Sequence, residues 1–116
     1  PGLVNAHAHL ELSALAGRAP ADHGFTSWIA SVLRERAARS TGELEQALLA
    51  GAARARRTGT TTVGEIDGSG LSERALARGP LRVRLFRELL DARDPRRTEA
   101  ALARARAPFP ARCELL

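Results

Sequence analysis

Pro1–Leu12, PGLVNAHAHLEL, is the stretch whose reading decides the fold. Within it Leu3–His9 is short, apolar and rich in Leu and Val, the composition of a buried strand. Side chains alternate between faces along a strand, so His7 and His9 project to the same side. Two imidazoles held side by side at a strand end offer two nitrogen ligands to one divalent metal. Coordination would relieve the repulsion between two imidazolium groups and the cost of burying either. The same spacing also fits two polar strand residues that bind nothing. Spacing alone leaves both readings open.

The neighbouring residues carry a resemblance. The order Pro-Gly, two apolar residues, Asn, x, His, x, His resembles the first barrel strand of the amidohydrolase superfamily, in the branch of chlorohydrolases and cytosine- or aminopurine-type deaminases. Leu10–Leu15 and Gly24–Arg36 (GFTSWIASVLRER) resemble the aminofutalosine-deaminase-like members of that branch. The resemblance implies an α/β fold, a partial (β/α)8 TIM barrel. A complete barrel takes about 250 residues, so residues 1–116 would hold about the first three βα units. The chain has no Met and opens directly on the motif strand, which is expected of an excerpt or a truncated gene product, an incomplete domain.

The resemblance also implies that His7 and His9 bind a divalent metal, zinc first, with iron as the alternative. In the family this pair, a later His and a late-strand Asp hold a metal that activates water, while a carboxylate shuttles protons. The implied activity is hydrolysis of C–N bonds, such as deamination of a purine-like or other cyclic amine. Of the metal set only His7 and His9 are identifiable here, so catalytic residues stay unassigned and the isolated chain is expected to be inactive. Two other readings stay open: a degenerate, non-catalytic relative or truncated product, and a basic binding module.

Beyond the His strand, Ser13–Gly24 reads as a loop broken by Gly17, Pro20 and Gly24. A helix is predicted from about Ser27 to Arg39, with Ile29, Val32 and Leu33 at helical spacing. Phe25 reads as core, and Trp28 equally as core or as the lining of a substrate pocket. Ser40-Thr41-Gly42-Glu43 has the form of a capping box opening a second helix through Leu44, Leu48, Ala52 and Ala53 to Gly59. Thr60–Ile66 is β-branched and reads as strand two. Glu65 and Asp67 flank its C-terminal end, where catalytic and substrate-contacting groups gather in a barrel. For Glu65 the plainer role is pairing with an Arg or capping the next helix.

Ser72 is suited to cap a short helix, Glu73–Arg78. Leu81–Phe86 alternates apolar residues with Arg and reads as strand three, followed by Glu88. Related deaminase-like members carry a similar Phe-Arg-Glu there, which places Glu88 at the site. The candidate substrate-binding residues are thus Glu11, Trp28, Glu65 and Glu88. Strand–helix–strand alternation argues for parallel βαβ units. Thr98–Ala107 is a further helix. The tail from Arg106 can be laid against the family's H-A-P-Y, three residues, P-E-L-L, with Arg106 where a substrate-facing His stands. Alternatively Pro108–Leu116 is an ordinary helix-to-strand connection.

All 18 basic residues are Arg, against 13 acids, for a formal charge of +5. Such a balance points toward an acidic partner such as nucleic acid. However, the arginines are spread through Ala-rich helical stretches such as Ala52–Arg57 and Ala100–Arg106. At 3% aromatic residues there is also little to stack on bases. The expected partner is a small-molecule substrate, with no nucleic acid, no membrane and a homo-oligomer left open. The single Cys113 excludes an internal disulfide and fits a reducing compartment. No apolar run of about 18 residues and no signal peptide are visible, so the cytoplasm is the default location. An incomplete barrel leaves its third strand as an open edge, which favours self-association or a partner.

Overall fold

A computed structural model describes residues 1–22, 24–89 and 94–108. These form strands β1 (Leu3–Ala8), β2 (Thr60–Asp67) and β3 (Arg82–Arg87), and helices α1 (Phe25–Ala37), α2 (Thr41–Arg57), α3 (Ser72–Leu76) and α4 (Thr98–Arg106). Two 3-10 turns, Leu10–Leu15 and Pro95–Arg97, complete the set.

The longest helix shows how directly the sequence acts. Ser40 Oγ accepts from the Glu43 N–H at 3.2 Å while the Glu43 carboxylate accepts from the Ser40 N–H at 2.8 Å, the reciprocal capping box. The Ser40 N–H, the Ser40 hydroxyl and Arg39 hold Glu43 below the usual carboxylate range. From that start Leu44, Ala47, Leu48, Gly51 and Ala52 recur at helical spacing, and these are the residues α2 buries. Ser40→Ala is expected to cost about 1 kcal/mol, seen as a lower thermal midpoint. An unchanged midpoint would mean that packing alone sets the start of α2.

The strands pair in the order β1-β2-β3, all parallel. Ala8 stands opposite Glu65, and β2 and β3 match without a shift from Thr62–Arg82 to Asp67–Arg87. Leu10, Leu48, Ala52, Val63, Leu76 and Leu81 form one core, with Ala8 and Val83 packed against it. The apolar face of β2 and β3 is therefore covered by α2 and α3. The opposite face, with Thr62, Gly64 and Ile66 alternating along β2, is bare of any described helix. No helix among the described residues is long and apolar enough to cross a membrane.

Four expectations need correction. Leu3–His9 is not a buried strand: β1 is an edge strand that turns only its end, at Ala8, toward the core, and Leu3 and Val4 are 66% and 68% exposed. Phe25 is not core: it is 75% exposed at the start of α1, where its ring lies beside Trp28 with centroids 5.8 Å apart. The region read as a loop from Ser13 begins inside the first 3-10 turn. Ser72 does not cap its helix, since Leu71 holds that position and the Ser72 hydroxyl turns toward β2.

Candidate active site

Parallel strands deliver their C-terminal ends to one edge of the sheet, and the loops leaving that edge collect chemistry-bearing groups. A cavity of about 550 Å³ lies there, within the roughly 300–1,000 Å³ of small-molecule sites. His9, Glu11 and Leu12 reach it from the end of β1, Gly68 from β2, and Glu88 and Leu89 from β3. Trp28, Ile29, Val32 and Leu33, one side of α1, make an apolar wall, and Ala100, Ala101 and Arg104 of α4 form the roof. Four of the six residues singled out by sequence thus meet in one place: His9, Glu11, Trp28 and Glu88. His7 and Glu65 lie outside the lining.

Ala8 packs toward the helix-side core. Alternation therefore puts His7 on the bare face and carries His9 past the strand end into the cavity. The two rings are edge to face, centroids 5.3 Å apart. Two imidazoles on one tetrahedral zinc, each with Zn–N of about 2.0–2.1 Å, bring their ring centroids to about 5 Å. The pair thus fits a shared divalent ion in donor type and spacing. Among the described residues no group of three or more His, Cys, Asp and Glu is placed to hold a metal, and His7 and His9 are the pair whose spacing matches a shared ion.

Glu11 is 2% exposed. Its Oε1 accepts from Arg36 Nε at 2.6 Å, which ties the 3-10 turn to α1. Gly68 lets this pair approach the end of β2: a Cβ there would lie 2.9 Å from Glu88 Oε2 and 3.3 Å from both Arg36 Nη2 and Glu11 Oε1. Glu11, Arg36 and Glu88 therefore converge over one glycine. Arg36 and Gly68 were not among the residues singled out by sequence. The glycine directly after a strand was the available signal, and Arg36 had none.

Glu65 belongs to a different constellation, on the helix-covered face. It is fully buried. Its two oxygens accept from the Leu10 N–H at 3.2 and 3.0 Å, capping the first 3-10 turn. The plainer role expected of it holds in kind, on a turn after β1 rather than the helix after β2. Ser72 Oγ lies 3.1 Å from Glu65 Oε1 and 3.3 Å from Asp67 Oδ1. A hydroxyl has one proton to give, so both carboxylates are satisfied together when Glu65 itself carries a proton, donates to Ser72 and leaves the serine to donate to Asp67. Burial pushes the Glu65 carboxyl up to about 7, with the Glu11 and Asp67 charges adding to the rise and the bonds from Leu10 and Ser72 opposing it.

The roof helix buries none of its residues. It is tied down by arginines. Arg87 donates to the carbonyls of Arg104, Ala107 and Pro108, satisfying the open C-terminal end of α4. Arg104 reaches back to the carbonyls of Gly68 and Asp67 at 3.3 and 3.4 Å. Arg106, aligned with a substrate-facing His in one reading of the tail, is exposed in the last turn of α4 and does not line the cavity. The rest of that alignment, residues 109–116, lies outside the described residues. Comparison with protein-family models, curated proteins and solved structures finds no match for this chain.

Proposed function

We propose that the chain is the opening part of a (β/α)8 barrel of the amidohydrolase superfamily, with His7 and His9 as its first two metal ligands. The observation that carries this reading is the 5.3 Å His7–His9 pair at the C-terminal end of the first strand of a parallel sheet, beside a small-molecule-sized cavity. The barrel is supported by the sequential strand order and by the helix-covered core lying on one face of the sheet among the described residues. Parallel sheets bury both faces, and closure into a barrel is one way to cover the bare one.

A divalent ion held there, zinc or iron, supplies a Lewis acid and activated water for hydrolysis of a C–N bond in a purine-like or other cyclic amine. His9 brings that position to the mouth of the cavity. Trp28 offers a flat apolar wall to a ring, and Glu88 holds a carboxylate across the cavity as a proton acceptor. The later His and late-strand Asp of the family have no counterpart among the described residues, so turnover is assigned to the whole barrel. A single-cysteine chain with this chemistry suits the cytoplasm.

The test is zinc binding. After treatment with a chelator, wild-type protein and the double variant His7→Ala/His9→Ala are titrated with zinc, and bound metal is counted by mass spectrometry. One zinc on the wild type and none on the double variant is the expected result. Wild-type protein without zinc, or equal zinc on both, overturns the reading.

A further inference from the structure

Along the sequence the arginines are dispersed, but the fold gathers five of them at one end of the molecule. Arg54, Arg56 and Arg57 close α2, Arg78 follows α3, and Arg82 opens β3. The starts of the strands bring these elements together. The Leu3 N–H donates to the Gly59 carbonyl at 2.9 Å, Leu3 stands opposite Thr60, and Thr62 stands opposite Arg82. This is the N-terminal edge of the parallel sheet, on the far side from the cavity. All five arginines are exposed. None is in an ion pair among the described residues.

Acids are kept away from this end. Residues 1–10, 46–64 and 74–87, which build it, contain no Asp or Glu. On the same elements the acids stand at the opposite ends: Glu43 and Glu45 early in α2, Glu73 early in α3, and Glu65, Asp67 and Glu88 toward and past the ends of β2 and β3. Arg74, one turn before Arg78, is paired with Glu45 at 3.1 Å. With the five set aside, the other thirteen arginines equal the thirteen acids of the chain, so its formal charge of +5 matches this one end. The helix dipole favours cations in the last turn of α2. It does not account for Arg82 at a strand start or for the lack of acids.

The surroundings narrow the partner. Residues 54–62 and 76–82 hold no aromatic side chain, and their two leucines, Leu76 and Leu81, are buried. Leu3 and Val4 are the large apolar side chains exposed beside them. A protein partner is gripped chiefly through buried aromatic anchors, a single nucleic acid strand through stacked bases, and a membrane surface through inserted apolar groups as well as charge. A duplex needs none of these, because its phosphates alone supply sequence-independent affinity.

We propose that the N-terminal edge of the sheet binds the phosphate backbone of a nucleic acid duplex through Arg54, Arg56, Arg57, Arg78 and Arg82. The surface lies apart from the cavity and the histidines, so it does not depend on the proposed function.

The probe is a short fluorescently labelled DNA duplex, titrated with the wild-type chain and followed by anisotropy. Contacts to about three to five phosphates give a log–log salt slope of about −2.7 to −4.5, so affinity is expected to fall about 40- to 500-fold between about 50 and 200 mM salt. A duplex of unrelated sequence binds equally. In Arg56→Gln/Arg57→Gln/Arg82→Gln the slope becomes shallower by about one for each lost contact, and binding weakens about tenfold or more. Arg18→Gln/Arg34→Gln/Arg106→Gln removes the same charge from exposed positions elsewhere and keeps the wild-type slope. No binding, a slope near zero, equal losses in the two triple variants, or tighter binding to polyglutamate or to phosphatidylserine–phosphatidylcholine vesicles than to the duplex overturns the proposal. The salt slope is read on the wild-type chain, so a variant that fails to fold does not blunt the test.

Discussion

Raising the pH from about 4.5 to about 8 is expected to cost the wild-type chain about 3 kcal/mol of stability through Glu65, and Glu65→Gln is expected to remove that loss. The carboxyl has an ordinary value of 4.5 and is pushed up to about 7 in the folded chain. Between those values the folded state keeps a proton that the unfolded state has released. Stability therefore falls as pH rises through this window, and levels off above it. The burial that causes the shift is complete, and Asp67 on the same strand and Glu11 on the adjoining turn add like charges. Glutamine reproduces the protonated form: its oxygen accepts from the Leu10 N–H and its amide donates to Ser72. Urea unfolding of the two proteins at a series of pH values checks this. Their stability difference should grow toward alkaline pH, whereas parallel curves would mean that Glu65 is ionised throughout.

Gly64→Ala is expected to destabilise the sheet by about 3 kcal/mol and to abolish zinc uptake with it. A Cβ at Gly64 would run into the Ala6 carbonyl, with its oxygen nearest and its carbon at 2.8 Å, and would press on Phe86 Cε2 at 3.3 Å. The first obstacle is backbone, so no side chain can rotate out of the way. β1 has to move off β2, and His7 and His9 move with it. Gly42→Ala is the control, because a Cβ there meets nothing within 4 Å, and alanine in the first turn of α2 should be neutral or mildly stabilising. The pair of thermal midpoints decides the matter. If Gly64→Ala melts beside Gly42→Ala and still takes up zinc, the β1–β2 contact is looser than described.

How much of this was legible in the sequence depended on whether the signal was local. The Ser40 capping box, the β-branched run of β2 and the Arg-alternating β3 rest on neighbouring residues, and they form where expected. The parallel three-stranded sheet followed from strand–helix alternation. Depth was not legible in the same way. Leu3 and Val4 have the composition of buried strand residues, and only the placement of α2 and α3 over the other strands shows that they stay exposed. Glu65 stands at a strand end like Glu88. Strand parity sends Glu65 to the helix-covered face, where it caps a turn of the chain more than fifty residues away. The register that fixes that parity is a tertiary fact. Arg36 has no distinguishing neighbours among eighteen arginines, and its bond to Glu11 spans two elements.

The two borders of the sheet are chemically unlike, and this makes strand addition directional. Arg82, Arg84 and Arg87 stand along β3, so a strand arriving there has to settle among guanidinium groups and strip water from them. β1 carries no Arg, Asp or Glu and pairs only with β2 among the described residues. A further strand, from the same chain or another, finds its lower barrier beside β1. The newcomer's rungs would lock against the main chain of the histidine strand, so its arrival would be felt first at His7 and His9. Adding a strand and stiffening the proposed metal pair would then be a single event.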